Sequence, residues 1–568
     1  MSTDFLDGLD PEQREVAECL RGPVSVLAGA GTGKTRTLTH RIAHGVRVGA
    51  YAPERVLAVT FTRKAAGELQ TRLRHLGADG VRAQTFHGAA LAQLSFFWPQ
   101  VIGGSAPKVI GGKIAVVSQA VEALGMRLPA ETLRDIAAEI EWRKVSMLGF
   151  DSYAARLASV TDSRPVPTGV TVEQLLDVQK RYESLLADRK QIDFEDVLIL
   201  TTGMLETEPR AAVQVREQYR FFTVDEFQDV SPLQHGLLNV WLGNREDLCV
   251  VGDASQTIYS FAGASSSYLL RFQSEYPNAR TFRLERNYRS DEPIVRVANR
   301  LMQNQPGALT LKAERSAMTT HTVAESRVLA EWFATEHDEA EAVAEAIRGS
   351  IASGTPASEI AVLYRANAQA ASIESALQRR GVSARVQGAQ RFFDRAEVRQ
   401  AVMLMRGQAK AFDARPLFQV VSDVLRACGW TTDPPEGSAA RDRWDALNAI
   451  LGMVDEQPPD TQMSAFSEEL VKRSKAQHEP TVEAVTLSAI HSAKGLEWKL
   501  VHLIGMSEGL LPSTYAEDDE AIAEERRLTY VALTRARDEL RISGSAGNAR
   551  NPRSPSRFIA EAGLRFGA

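Results

Sequence analysis

Residues 28–35 read Ala-Gly-Ala-Gly-Thr-Gly-Lys-Thr and follow the apolar run Val24–Leu27. That spacing is the pattern of a phosphate-binding loop set between a buried strand and a helix. Gly29, Gly31 and Gly33 let the backbone turn tightly and aim N–H groups at phosphate oxygens, with Ala28 where the motif's first glycine usually sits. Ala30, Gly31, Thr32 and Gly33 supply that cradle; the helix opening near Lys34 adds its positive end, and Lys34 adds a full charge. Thr35 puts a hydroxyl where a nucleotide-bound Mg²⁺ is expected. A glycine-rich loop can be only a tight turn, but Gly-Lys-Thr between strand and helix points to a nucleoside triphosphate.

Two further clusters suit the same chemistry. Asp225-Glu226-Phe227-Gln228-Asp229 follows the apolar run Phe221–Val224. At a strand's carboxyl end Asp225 would hold the metal, and Glu226 would orient and deprotonate the attacking water. Read alone, the pair could be a solvated turn. Val250–Asp253 ends another buried strand and leads into Gln256, whose amide can sense a γ-phosphate. Tyr259 and Phe261 just beyond could stack on bases, although such aromatics are more often core.

These groups need rigid elements beneath them. Short β-branched runs alternating with helical patterns indicate parallel α/β sheets. A first set comprises Val24–Ala28, Val56–Thr60, Phe221–Asp225 and Leu248–Asp253; a second comprises Thr281–Leu284, Ile360–Tyr364, Val485–Ser488, Val501–Gly505 and Leu540–Ser543. Between them, 96–190 reads as helical, with Leu133, Ile136 and Ile140, then Leu175, Val178, Tyr182 and Leu185, on single faces, divided by a polar linker at Thr161–Thr171. The stretch 401–481 is also helical by pattern, broken at Asp433–Ser438 and Gln457–Asp460, and Gly544–Ser556 reads as loop.

Composition narrows the class. The chain has 568 residues, too many for one core, with 44% hydrophobic and 24% charged residues. No signal peptide or bilayer-length apolar stretch is evident, and Cys19, Cys249 and Cys428 have no CxxC spacing. A cytoplasmic protein without disulfides or structural zinc is expected. A net charge of −6 argues against a static nucleic-acid binder but leaves room for a local basic track, for which Arg280, Arg283, Arg286, Arg289, Arg296 and Arg300 are candidates. The acidic stretches Glu331–Glu345 and Glu517–Glu525 read as solvated helix faces.

From Leu9 to about Phe558 the chain resembles the UvrD/Rep/PcrA type of superfamily 1 DNA helicase, in particular its compact actinobacterial branch. The matching stretches are Leu9–Gln13, the phosphate loop, Thr60–Ala66, Thr85–His87, Asp193–Asp196, Asp225–Asp229, Gly252–Ala264 and Leu284–Ser290. Val362–Arg365, Thr486–Trp498, Glu524–Leu528 and Thr534–Ala536 complete the set. Each could arise by chance; in this order and spacing they are specific.

The resemblance implies an α/β fold of two RecA-like parallel-sheet motor domains, each with a mainly helical inserted subdomain, and ATP with Mg²⁺ between the two. Its boundaries here are 1–95 and 191–279 for the first motor domain, 96–190 for its insert, 280–400 and 482–568 for the second, and a reduced insert at 401–481. Family roles make Arg289 and Arg535 arginine fingers on the γ-phosphate, join Gln13, Arg36 and Tyr288 around adenine, and set Glu497 on the ribose. A single-strand track would run over Phe61, Arg63, Thr85, His87, Tyr259 and Phe261, with His491 from the second domain. Bland readings stand beside these: a first-turn glutamine, a surface arginine, a solvated glutamate, a structural histidine.

The implied activity is 3′-to-5′ movement on single-stranded DNA and duplex unwinding, in a nucleoid-associated setting of repair or replication restart, at single-strand/duplex junctions and with repair or replication proteins as partners. Departures from the family pattern are Arg63 for asparagine, Ala262 for arginine and Arg286 for glutamine, all bearing on DNA grip. Some actinobacterial relatives continue beyond the match to Arg535 into a cysteine-bearing linker and a helical nucleic-acid-binding domain; this sequence runs about thirty residues past Arg535. Rival readings are a translocase that strips proteins from DNA and the motor subunit of a helicase–nuclease; a small-molecule phosphotransferase has no use for the second-lobe arginines.

Overall fold

The computed structural model describes residues 5–158, 166–314, 327–387, 396–409, 415–432, 461–476, 484–548 and 551–567, with a few more between 447 and 458. The chain divides into two units, 1–339 with 493–568, and 340–492.

The first sheet is six-stranded. Its strands are β1 (Val24–Ala28), β2 (Val56–Thr60), β3 (Arg82–Thr85), β4 (Phe221–Val224), β5 (Leu248–Gly252) and β6 (Arg280–Leu284). They lie in the order β3-β2-β4-β5-β1-β6, and all pair in parallel. The central strands are almost wholly buried, as expected of a parallel sheet with both faces covered. Their continuous β-branched and aromatic runs therefore mark them clearly in sequence. The helices Lys34–Arg47, Arg63–His75 and Phe86–Val101 follow β1, β2 and β3. Trp241, Phe86 and Phe222 stack within a core of this sheet.

One strand reading needs correction, and one strand is not read from the sequence. Thr281–Leu284, expected to open the second set, belongs to β6 at the edge of the first sheet, where it pairs with Val24–Ala28. Its alternating burial, with Phe282 and Leu284 inward, suits an edge rather than a centre. The strand β3 escapes a hydrophobicity reading because Arg-Ala-Gln-Thr lies on the opposite edge and is never fully buried.

Each unit also carries a further set of parallel strands. In the larger unit, β7 (Arg327–Phe333), β12 (Ala536–Ser545) and β11 (Trp498–Leu503) lie side by side, and in the smaller unit so do β8 (Ile360–Tyr364), β10 (Val485–Ala489) and β9 (Ala384–Val386). The architecture is thus the expected α/β one, built on two RecA-like parallel sheets. Gly544–Ser556 is not all loop: β12 runs to Ser545, and Gly547–Asn548 pairs antiparallel with Asn551–Pro552.

Helical segments interrupt both sheets. Ile114–Ala123, Ala130–Val145, Phe150–Leu157 and Val172–Asp188 enclose their own core around Ile136, Ile140, Tyr153, Leu175, Val178 and Tyr182. The parallel pair Lys108–Val109 and Gln191–Ile192 closes its base. The helix Phe86–Val101 runs through residue 96 and packs on the first sheet's core. In the smaller unit Ala396–Gln408, Leu417–Ala427 and Met463–Ala476 gather around Val398, Met405, Val421, Leu425, Phe466 and Leu470. The expected breaks at Asp433–Ser438 and Gln457–Asp460, and residues 161–165 of the linker, lie outside the described residues apart from Pro458.

Neither acidic stretch is a simple solvated face. Glu339 is buried and accepts hydrogen bonds from Gly505 N (2.8 Å) and Ser543 Oγ (2.6 Å). Glu525 is buried and accepts from Ser513 N (3.1 Å). The cysteines are free and buried, and no helix among the described residues is long and apolar enough to cross a membrane.

His502 on β11 is buried, its Nε2 without a hydrogen-bond partner. Burial, with Arg541 adding to it, lowers its pKa to about 3 from the ordinary 6.5. The unfolded chain takes up this proton below pH 6.5 while the folded one refuses it until about pH 3, so stability falls as pH drops through that window. Replacing His502 by Leu is expected to flatten that acid limb, read from urea unfolding at pH 7, 6, 5 and 4; an unchanged slope would contradict the assignment.

Candidate functional site

In parallel α/β sheets, ligands meet the carboxyl ends of the strands. Here the loop after β1, Asp225 after β4 and Asp253 after β5 come to one edge. Gly31 (φ 70°) and Gly33 (φ 79°) occupy the left-handed region, and Gly33 caps the helix Lys34–Arg47 with no side-chain hydrogen bond. The helix N–H groups therefore stay open for an anion. Thr32 Oγ1 donates to Gly29 O (2.9 Å) and fixes the loop internally.

Two amides hold the loop from outside. Gln13 Nε2 donates to Thr32 O (3.0 Å), while its Oε1 and backbone N–H complete a capping box with Asp10. Asn287 Nδ2 donates to Ala30 O (2.7 Å), and its Oδ1 accepts from Arg289 N (3.0 Å) and Ser290 N (2.8 Å). A methyl group at Gly31 would stand 2.7 Å from both Asn287 Nδ2 and Arg289 Cβ, so glycine is required there for space as well as for φ.

Lys34 Nζ is buried, has no hydrogen-bond partner and lies 3.9 Å from Glu226 Oε2. Lys494 Nζ stands at the same 3.9 Å from that oxygen, donates to Gln256 O (2.7 Å), and pairs with Asp229. Glu226 adopts φ 53°, its carboxylate accepting from Gln228 Nε2 (2.5 Å). Burial acts to raise Glu226, but Lys34, then Lys494, overcome it and hold it near 2. Asp225 moves the other way, to about 7, through burial and the neighbouring Glu226 charge against the pull of Lys34. Burial likewise lifts Asp229 to about 6 despite Lys494.

Gln256 is buried; its Nε2 donates to Asp253 Oδ2 (2.7 Å) and its Oε1 faces Arg535 Nη2 at 3.5 Å. Arg535 is 1% exposed and donates to Val531 O (2.9 Å), Leu496 O (3.1 Å) and Thr534 Oγ1 (3.1 Å). Burial and the like charge of Arg289 bring it down to about 9. Arg289 itself donates to Glu497 Oε2 (2.6 Å) and Thr534 O (3.3 Å). Nearby, Tyr288 Oη donates to Asp10 Oδ2 (2.6 Å) and Arg36 Nη2 to Gly8 O (2.6 Å).

A chain of contacts therefore links Lys34, Glu226, Gln256, Arg535, Arg289 and Glu497, with Thr35 and Asp225 next to Lys34 and Glu226 in sequence. Gln13, Arg36 and Tyr288 lie along the loop. An uncapped helix end, a buried ammonium with no hydrogen bond and two further guanidinium groups fit a polyphosphate. Asp225 and the Thr35 hydroxyl fit Mg²⁺, which takes one or two protein oxygens beside phosphate. No group of three or more His, Cys, Asp or Glu among the described residues forms an all-protein metal cage.

A second surface lies beside it. Phe61, 40% exposed at the end of β2, stacks on Tyr259 (5.4 Å, 20°), and Lys494 sits 5.3 Å over the Tyr259 ring. Arg63 is exposed in the first turn of its helix, and Thr85 caps the next through Gly88 N (3.1 Å). His87 is stacked on Phe194 (4.0 Å) and lowered to about 4 by burial and Lys113. The Phe261 side chain lies outside the described residues. In the smaller unit, His491 lines a cavity with Tyr364, Arg365, Asn367, Gln387 and Ser492. Burial and Arg365 lower it to about 4, so it is neutral at pH 7.

The arginine run is not a free basic track. Arg286 pairs with Glu12 (3.0 Å) and Glu314 (3.6 Å), Arg289 with Glu497, Arg296 with Glu292, and Arg280 donates to Cys19 Sγ (3.3 Å). Four of the six are thus locally committed; close sequence spacing says nothing about the carboxylates that meet them in space.

Comparison with known proteins agrees with this layout. Residues 9–277 match the UvrD/REP helicase N-terminal domain, and 282–433 with 443–547 match the UvrD-like helicase C-terminal domain. The ATP-dependent DNA helicase UvrD2 of Mycobacterium tuberculosis is 42% identical over 584 residues, covering 98% of this chain and 82% of that one. The chain belongs to the UvrD-like helicase family. PcrA helicases of Staphylococcus epidermidis and Staphylococcus aureus are each 26% identical, over 98% of this chain and 86% of theirs.

Sequence reading of this UvrD-like chain passes over Lys494 and Asn287 as site residues. Both lie inside stretches that carry the family resemblance, Thr486–Trp498 and Leu284–Ser290, but only folding shows that they touch the loop and the acids. Asn287→Ala is expected to cost about 1–3 kcal/mol, because Ala30 O and two N–H groups lose a buried partner. Chemical denaturation checks this; a loss below about 0.5 kcal/mol would show the contact to be idle.

Proposed function

We propose that this ATP-dependent DNA helicase of UvrD type moves 3′ to 5′ on single-stranded DNA and opens duplexes at single-strand/duplex junctions. The observation that carries this reading is the convergence of Lys34, Glu226, Lys494, Gln256 and Arg535, with Lys34 Nζ buried and making no hydrogen bond. Bound ATP with Mg²⁺ supplies the phosphoanhydride and the cation that offsets its charge.

The chain's own residues do the rest. Ala30, Gly31, Thr32 and Gly33 cradle phosphate with backbone N–H groups, and Lys34 neutralises it. Thr35 and Asp225 hold the metal. Glu226, kept ionised by the two lysines, orients the attacking water and accepts its proton. Gln256 reads the γ-phosphate position. Arg289 and Arg535 meet charge developing on the transferred group, a task suited to guanidinium forks already desolvated before the reaction. Gln13, Arg36 and Tyr288 recognise adenine, and Glu497 the ribose; each is engaged with protein in this structure, so nucleotide must exchange those partners.

DNA lies over Phe61, Arg63, Thr85, His87, Tyr259 and Phe261, with His491 contributing a neutral contact. The Phe61–Tyr259 stack supports base intercalation, worth about 1–3 kcal/mol per stacked base. Residues 1–95 with 191–279 and 280–400 with 482–568 act as the two motors, except that the strand Arg280–Leu284 goes with the first, and 96–190 and 401–481 act as accessory inserts. The setting is the bacterial cytoplasm at the nucleoid, in repair or replication restart with partner proteins.

Strand displacement from duplexes bearing a 3′ or a 5′ tail tests polarity: opening confined to the 3′ tail is expected, and a 5′ preference would overturn it. ATPase stimulated by single-stranded DNA should fall steeply with salt, since each neutralised phosphate adds about 0.7 to the log–log slope. Arg535→Ala should keep nucleotide binding yet lose on the order of 10³-fold or more in turnover; an unchanged steady-state ATPase would refute its role.

A further inference from the structure

The turn that carries Tyr259 is fastened along one helix. Gln256 Oε1 faces Arg535 Nη2 (3.5 Å), Thr257 O accepts from Arg527 Nε (2.8 Å), and Ser260 N donates to Glu524 Oε1 (3.2 Å). Ser260 Oγ donates to the other oxygen of Glu524, so one carboxylate grips both donors of a single residue. Glu524 and Arg527 stand three residues apart on the helix Asp519–Leu533, hence on the same face. Val531, one turn further along, accepts from Arg535 Nε through its carbonyl. Residues 256, 257 and 260 thus meet 535, 527 and 524 in antiparallel order.

The turn is aromatic on its outer side, where Tyr259 stacks against Phe61. It ends at Gly263 (φ 85°), and a methyl there would stand 2.7 Å from Val145 Cγ2. With its exit packed in this way, displacement of Tyr259 has the helix face as its rigid counterpart. Glu520, one turn before Glu524, braces Arg527 at 2.9 Å. None of Ser260, Glu524 or Arg527 touches the phosphate loop or the acids after β4 in the contacts described above.

We infer that Glu524, with Arg527, is a positioning residue that transmits engagement of the Tyr259 turn by a polynucleotide to Arg535 through the Ser260–Glu524 and Thr257–Arg527 contacts. This rests on the proposed assignment of Tyr259 to the strand track and Arg535 to the nucleotide. Packing of a base beside Phe61 and Tyr259 shifts Ser260 and Thr257; the carboxylate and guanidinium pull the helix with them, and Arg535 at its end changes its approach to Gln256. Sequence alone does not show these pairings: Glu524–Leu528 carries the family resemblance, yet Glu517–Glu525 reads as a solvated acidic face.

The test uses the whole chain and an oligothymidylate as the strand. Steady-state ATPase is measured with and without it for wild type, Ser260→Ala, Glu524→Ala, Glu524→Gln and the double variant Ser260→Ala/Glu524→Ala, with strand affinity measured by fluorescence anisotropy. The inference expects Glu524→Ala to lose at least tenfold of the strand-stimulated rate while basal ATPase and KM for ATP stay within about twofold. Glu524→Gln, which keeps one acceptor oxygen, should recover part of the loss, and the double variant should be no worse than Glu524→Ala. Full stimulation in Glu524→Ala overturns the inference, as does an equal fall in basal and stimulated rates. Ser260→Ala retains the backbone donor and the fold, so a wild-type ratio of rates in that variant and in Glu524→Gln, with Glu524→Ala unfolded, also counts against it. If wild type itself shows no strand stimulation, it is the functional reading that fails, not this coupling alone.

Discussion

Lys34 and Glu226 lie 3.9 Å apart inside the protein, too far for a hydrogen bond and close enough for strong attraction, about 4 kcal/mol at an effective dielectric of 20. Lys494 stands at the same distance from the same oxygen. Two lysines thus converge on one carboxylate oxygen and hold Glu226 ionised, while burial and the Glu226 charge raise Asp225 and burial raises Asp229. A buried ammonium that makes no hydrogen bond is costly inside a protein even beside a carboxylate. The open helix end and an ammonium with no hydrogen bond form a binding site whose natural complement is a polyanion. The remaining structure can be read as what holds these groups in place.

The parallel sheet brings this about by geometry. Parallel pairing of β1, β4 and β5 delivers Lys34, Asp225 and Asp253 to one edge from segments nearly 200 residues apart in sequence. Gln13 and Asn287 fix the loop from two sides, and the close approach at Gly31 lets Asn287 and Arg289 reach it. Arg535 is held by three neighbouring oxygens, so its guanidinium is oriented before any ligand arrives. Orientation in advance is what makes a buried cation effective toward a transient charge.

Much of this was legible in the sequence for a physical reason. Strands buried on both faces need unbroken apolar runs, and Val24–Ala28, Val56–Thr60 and Ile360–Tyr364 are found at the bounds their composition suggests. The phosphate loop is legible because its glycines answer to backbone geometry and its lysine to charge. Edge strands were harder: Arg82–Thr85 is too polar to stand out, and Arg280–Leu284 joins the first sheet through long-range pairing that local pattern does not encode. Partnerships were hardest. Nothing in the spacing of Arg286 or Glu524 reveals that Glu12 or Ser260 awaits it, and an acidic or basic run looks the same whether solvated or paired.

The central claim is that one nucleoside triphosphate is held between Lys34 and Arg535. A structure of the chain with a non-hydrolysable ATP analogue, Mg²⁺ and a single strand tests it most directly. The account predicts phosphate density bounded by Lys34 Nζ, the Gly31–Thr35 backbone and both Arg289 and Arg535, with the cation beside Asp225. Nucleotide bound away from this edge, or touching Lys34 while Arg289 and Arg535 remain remote from it, would contradict it.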